Sequence, residues 1–255
     1  MSFKHDIDFD HIDEAMLQSY RSLRTRIGFL AIAFPLILIA IGKFWNIDIQ
    51  QTLSNYYFAE DATHIDRYPV RLWFCGILFV VGFFLARYPG FTKHEEKWLN
   101  AAGIFATCIA IFPMSTDKGN EYDFLLAWTG LTQQISLHGI FAVLAFGCIA
   151  VVIVWYSDAT LKELEKTDPA AYTRYNWAYR GIGAFMILSI ALAVSLNYVH
   201  HGQGDYILAA EWAGIWAFAA YWFVKNSEMK RVGHALKARK ALLPHREPPD
   251  LSGRL

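Results

Sequence analysis

Six long apolar stretches constrain this 255-residue chain more than any other feature: Ile27 to Trp45, Val70 to Arg87, Trp98 to Met114, Ile135 to Tyr156, Gly181 to Val199 and Ile207 to Val224. Each is close to the roughly 20 residues that a helix needs to cross a bilayer core about 30 Å thick. Amphipathic helices of soluble proteins show charge every turn or two, whereas these segments are apolar all round and nearly free of Asp, Glu, Lys and Arg. The pattern predicts an all-α, polytopic membrane bundle of six transmembrane helices; a soluble bundle of buried helices is the competing reading.

The basic residues predict the orientation, because Lys and Arg in short loops near span ends are retained on the cytoplasmic side. Eighteen of them fall in the N-terminal segment, the second and fourth loops and the C-terminal tail, against Arg67 and Lys118 alone in the first, third and fifth loops. Lys43, Arg71 and Arg180 stand at span boundaries. Both termini are therefore expected in the cytoplasm (N-in/C-in), with the acidic first, third and fifth loops outside. The chain divides into a cytoplasmic amphipathic segment over 1–26, a six-span membrane domain over 27–225 and a basic tail over 226–255, disordered from about residue 244.

The short flanks carry patterns of their own. Ile12, Met16, Tyr20, Leu23 and Ile27 recur at helical spacing behind Asp6, Asp8, Asp10 and Asp13, predicting an amphipathic helix that runs into span one with acid at its dipole-favoured start. Met229, Val232 and Leu236 mark an apolar face in the tail beside Lys230, Arg231, Lys237, Arg239 and Lys240. That tail either lies on the anionic inner leaflet or is a solvated helix that enforces topology. The acids ahead of span one do not resemble a cleavable signal, so the span is expected to be retained. The three cysteines, Cys75, Cys108 and Cys148, all fall inside spans and read as small apolar fillers. The zero formal charge hides this sidedness, and no basic domain suited to nucleic acid is present.

Ionisable groups at membrane depth are costly unless paired or hydrated, so they mark candidate sites. Glu211 lies about one turn into span six, His138 about one turn into span four, Arg71 opens span two, and Asp117 follows Pro113 at the end of span three. With the expected topology all four approach the outer leaflet. Ser54, Asn55, Tyr56, Tyr57 and His64 of the first loop and His200, His201 and Asp205 of the fifth turn join them in an outward-facing polar pocket. Glu211 and His138 are the candidate catalytic residues, and Arg71, Ser54, Tyr57 and Asp117 the candidate substrate-binding ones. The competing readings are a structural Arg71–Glu211 ion pair and histidines that are merely satisfied interfacial side chains. Ser54 has no base near it in the sequence, and no Gly-rich phosphate loop or nucleophile elbow is visible.

Several motifs carry a resemblance: Ser54-Asn55-Tyr56-Tyr57, Arg71-Leu72-Trp73-Phe74-Cys75-Gly76, Tyr88-Pro89-Gly90, Ile111-Phe112-Pro113, His138, Tyr179-Arg180 and Glu211-Trp212-Ala213-Gly214 with Trp222-Phe223-Val224-Lys225. Their order, over most of the chain, resembles a group of poorly characterised bacterial six-helix inner-membrane proteins distantly similar to the Frag, DRAM and Sfk membrane families. The resemblance implies a multi-pass protein of the bacterial inner membrane, with membrane lipids as partners and lipid handling as its work. Members of that group often place His after the Tyr-Tyr pair and Asp after the Arg that opens span two. Phe58 and Leu72 stand there in this chain.

The leading expectation is a pocket that binds or modifies a lipid head group, Arg71 matching a phosphate and Glu211 or His138 placing a proton or water. One alternative is a metal-dependent membrane lipid hydrolase with zinc on His138, His200 and Glu211. Another is a non-catalytic or haem-carrying subunit of a larger membrane complex, with His138 and His200 as the axial pair.

Overall fold

The computed structural model describes residues 9–61, 67–112, 137–199 and 205–242, and among them the chain is helical with no strand. Helix α1 (Phe9–Phe44) leads into a short 3-10 turn (Ser54–Tyr57), followed by α2 (Arg71–Arg87) and α3 (Lys93–Ile111). Then come α4 (Leu137–Val151), a π turn (Val152–Tyr156), α5 (Asp158–Thr167), α6 (Pro169–Val199) and α7 (Asp205–Leu242). Four helical segments are long and apolar enough to cross a membrane: Gln18–Phe44, Leu137–Thr167, Pro169–Leu196 and Tyr206–Ala235.

The sequence writes several boundaries directly. α1 ends where Asn46 takes φ 55°, a conformation that Asn tolerates better than most residues, while Ile47 N–H reaches Gly42 O at 2.8 Å and Asn46 N–H reaches Lys43 O at 3.2 Å. These are the paired bonds of a Schellman cap, which satisfy carbonyls the helix would otherwise leave open. α3 begins with Thr92 accepting from Glu95 N–H at 3.1 Å while the Glu95 carboxylate reaches back to Phe91 N–H at 2.9 Å, a capping box displaced by one residue. α6 begins with Asp168 accepting from Ala171 N–H at 3.1 Å, just ahead of Pro169, whose missing N–H costs nothing at a first helical position.

The predicted N-terminal helix does run unbroken into span one, and α7 likewise continues through the basic tail to Leu242. Val232 of the tail packs into the core, where a helix lying on the leaflet or solvated all round would not place it, and Leu23, on the face predicted for α1, is exposed. The tail beyond residue 242 lies outside the described residues.

Small residues bring two pairs of helices close. A Cβ on Gly103 of α3 would lie 2.4 Å from Gly82 O of α2, so this crossing is built backbone to backbone, as small residues permit in membranes. A Cβ on Gly183 of α6 would lie 2.6 Å from Val154 Cγ2, which places α6 directly on the π turn.

The buried side chains form two clusters. One contains Ile27, Leu85, Leu99, Ile153, Leu161 and Trp222; the other contains Leu38, Tyr56, Tyr57, Phe74 and Leu208. Each supports one polar region.

Candidate functional site

The first region is organised by the 3-10 turn that follows α1. Its backbone is tied from three directions. Leu53 N–H donates to Glu211 Oε2 of α7 at 2.7 Å, Asn55 N–H donates to Thr52 Oγ1 at 3.0 Å, and Arg71 Nε of α2 donates to Tyr57 O at 3.0 Å. A further backbone bond, Leu208 N–H to Gln51 O at 3.0 Å, holds the start of α7 against the same loop.

On this support Ser54 Oγ meets His138 Nε2 of α4 at 2.6 Å, and His138 Nδ1 meets Phe112 O at 2.9 Å. A carbonyl oxygen can only accept, so Nδ1 carries the ring proton, and in the neutral ring Nε2 is left with its lone pair. Ser54 therefore donates its hydroxyl proton to Nε2. Ser54 is 8% exposed and His138 4%, so the bond is sheltered from water on both sides. The Phe74 ring stacks near the imidazole, centroids 6.5 Å apart at 23°.

Arg71 and Glu211 form no ion pair with each other; each holds the turn separately. The Arg71 guanidinium carbon lies 4.5 Å from the centre of the Tyr57 ring, 5.5 Å from Phe58 and 4.0 Å from Tyr68, so its planar faces are stacked against aromatics. Phe58 belongs to this aromatic sheath. Leu72, next to Arg71 on α2, is 77% exposed.

Five of the predicted residues thus meet: Glu211, His138, Arg71, Ser54 and Tyr57. Asp117, His64, His200 and His201 lie outside the described residues. Among the described residues no three His, Cys, Asp or Glu side chains gather to hold a metal ion. Sequence reading missed the contact that matters most, Ser54 with His138, since 84 positions separate them. No local pattern announces such a pair. It also missed the Phe112 carbonyl, which has no side-chain signal at all.

A second polar region surrounds Lys225 and Glu228 of α7, which are 1% and 0% exposed and 3.2 Å apart at Nζ and Oε2. Lys225 Nζ donates to Thr160 Oγ1 of α5 at 2.7 Å, and Thr160 and Tyr179 each donate a hydroxyl to the Glu228 carboxylate. The Lys225 ammonium also lies 5.0 Å from the centre of the Phe91 ring. Nearby, the buried Arg24 of α1 donates to Tyr88 OH at 2.8 Å, and Asn226 Nδ2 donates to Thr25 Oγ1 at 2.7 Å. Glu95, ahead of the third apolar stretch, is buried beside them. Burial raises its carboxyl above the ordinary carboxylate range, against the opposing pull of Lys225 and of the Phe91 and Thr92 backbone bonds. The sequence held one hint of this network, opposite charges three positions apart on one helix. By contrast Arg180, expected at a span boundary, is exposed.

Comparison with known protein families, with curated proteins and with solved structures gave no match.

Proposed function

We propose that the chain is a six-span protein of the bacterial inner membrane, both termini cytoplasmic, whose Ser54–His138 site faces outward and binds or modifies the head group of a membrane lipid. α2, with 17 residues and about 26 Å of length, supports the fifth span, and the apolar part of α3 packed against it supports the sixth. The eighteen-to-two distribution of basic residues supports the orientation. The order of motifs resembling the lipid-linked Frag, DRAM and Sfk families supports lipid as the partner.

The observation that carries the functional reading is the Ser54–His138–Phe112 relay. A hydroxyl and an imidazole, drawn from elements far apart in sequence, meet inside the apolar bundle, one residue from the backbone N–H that the Glu211 carboxylate accepts. Groups so placed are costly to bury in a membrane protein and mark a working site by default. Glu211, Arg71 and the 3-10 turn form its frame. Native mass spectrometry of the purified protein against a panel of bilayer lipids tests it. Glu211→Ala, which leaves Leu53 N–H without its acceptor, is expected to weaken binding of the preferred lipid at least about tenfold, one such step being about 1.4 kcal/mol, while Arg180→Gln leaves it unchanged. Equal affinity in wild type and both variants would remove the site from this region.

A further inference from the structure

We infer that Ser54 is a nucleophile, with His138 its general base, and that the site takes the acyl group of an ester-linked lipid; this rests on the lipid reading above and specifies its chemistry. A buried hydroxyl needs only an acceptor, and the carbonyls of its own helix turn are the nearest. Thr25, Thr107 and Ser189, buried or half-buried, take that course, each donating to a carbonyl three or four residues back, while Thr160 leaves its own turn only for a charged carboxylate. Ser54 instead donates to a ring nitrogen 84 residues away at 2.6 Å.

That nitrogen is held in the basic tautomer by a third group, the Phe112 carbonyl at 2.9 Å. Nucleophile, base and orienting acceptor in this order are the geometric signature of an activated serine. A neutral carbonyl fixes the tautomer and ring angle as a carboxylate would, but does less to stabilise the imidazolium formed when the proton moves. The turn carrying Ser54 is anchored on both sides by Glu211 and Arg71, which act as positioning residues.

The step balances without any redox partner. Ser54 Oγ bonds to the acyl carbon as its proton passes to His138 Nε2. The ester C–O bond then breaks, and the lipid alcohol leaves with that proton. Water next adds to the acyl carbon, its proton going to Nε2, and Ser54 departs with that proton as the fatty acid is released. An acyl ester suits this site better than a phosphodiester. The nucleophile–base pair is uncharged, and the nearby cation, Arg71, has its Nε bound to Tyr57 O and its faces against three rings.

The test treats the full-length protein in lipid nanodiscs with dodecyl fluorophosphonate and reads intact mass and peptide maps. Wild type is expected to gain one phosphonyl group on Ser54, and Ser54→Ala none. His138→Ala is expected to react about a hundredfold more slowly, the scale of a lost general base. If His138→Ala does not elute as the wild-type species, the wild type and Ser54→Ala decide alone. Unlabelled wild type that still binds lipid with the Glu211 dependence predicted above overturns the nucleophile and spares the lipid reading. Labelling at Ser54 without that dependence overturns the head-group reading and upholds the nucleophile.

Discussion

Helix α7 carries both polar regions, Glu211 in one and Lys225 with Glu228 in the other, about 21 Å apart along its axis. They are built on opposite terms. Around Lys225 and Glu228 the charges are closed upon themselves: ammonium on carboxylate and hydroxyl, two hydroxyls on the carboxylate, and aromatic rings over the cation. Around Ser54 and His138 the bonded groups form an open line that starts at a hydroxyl and ends on a carbonyl. The first arrangement locks helices α5, α6 and α7 at a fixed register. The second holds a proton at a defined atom. A buried charge can be tolerated only when its partners are complete, whereas a reactive group must keep chemistry in reserve.

The comparison breaks most visibly if the closed region is opened. Lys225→Met leaves the Glu228 carboxylate buried without its cation and is expected to cost about 3 to 5 kcal/mol of stability. Lys225→Met combined with Glu228→Leu should recover most of that loss, because no charge is then left uncompensated. Reversible denaturation in detergent measures both, and a single variant as stable as wild type would show that the pair does not lock the bundle.

The open region should respond less. Ser54→Ala removes one hydrogen bond and leaves His138 Nε2 without its donor, for an expected loss of about 1 to 3 kcal/mol on the same scale. Should Ser54→Ala prove as costly as Lys225→Met, the two regions would have to be regarded as equally structural.

A finer distinction comes from pH. Because burial raises the folded-state pKa of Glu95 above its unfolded value, its contribution is fully present below the unfolded pKa and is lost as pH rises through the folded one. Glu95→Gln keeps an acceptor for Phe91 N–H but removes the titration. Its melting temperature should match wild type in acid and exceed it increasingly toward neutral pH. A difference that does not change with pH would mean that Lys225 compensates the Glu95 charge in full.

Much of the scaffold was legible from residue order, and for simple reasons. Helix periodicity, the Thr92–Glu95 box, Asp168 before Pro169 and Asn46 at the end of α1 all act within a few residues, where backbone chemistry alone decides. Candidate site residues were legible too, since polar groups stand out against apolar runs: His138, Glu211, Arg71, Ser54 and Tyr57 do come together. Their roles were not. Arg71 and Glu211 read as partners of each other or of a ligand, yet each holds the same turn by a backbone group, Tyr57 O and Leu53 N–H, that every sequence possesses. Glu95, Arg24 and Glu228 carry no signal of burial in residue order that sets them apart from other charges near span ends, and only packing turned them inward.

The sequence by itself thus determined a helical chain with long apolar segments, the local capping chemistry at several helix ends, and which polar residues deserved suspicion. Those outcomes depend on hydrophobic transfer and on hydrogen bonds between near neighbours, both of which a linear chain carries in its order. The tertiary structure alone decided that Ser54 meets His138, that a main-chain carbonyl sets the imidazole tautomer, and that Lys225 and Glu228 are closed away together. Pairings across 84 residues depend on how helices cross, through contacts such as Gly82 against Gly103, and a crossing belongs to the packed bundle, not to any one of its segments.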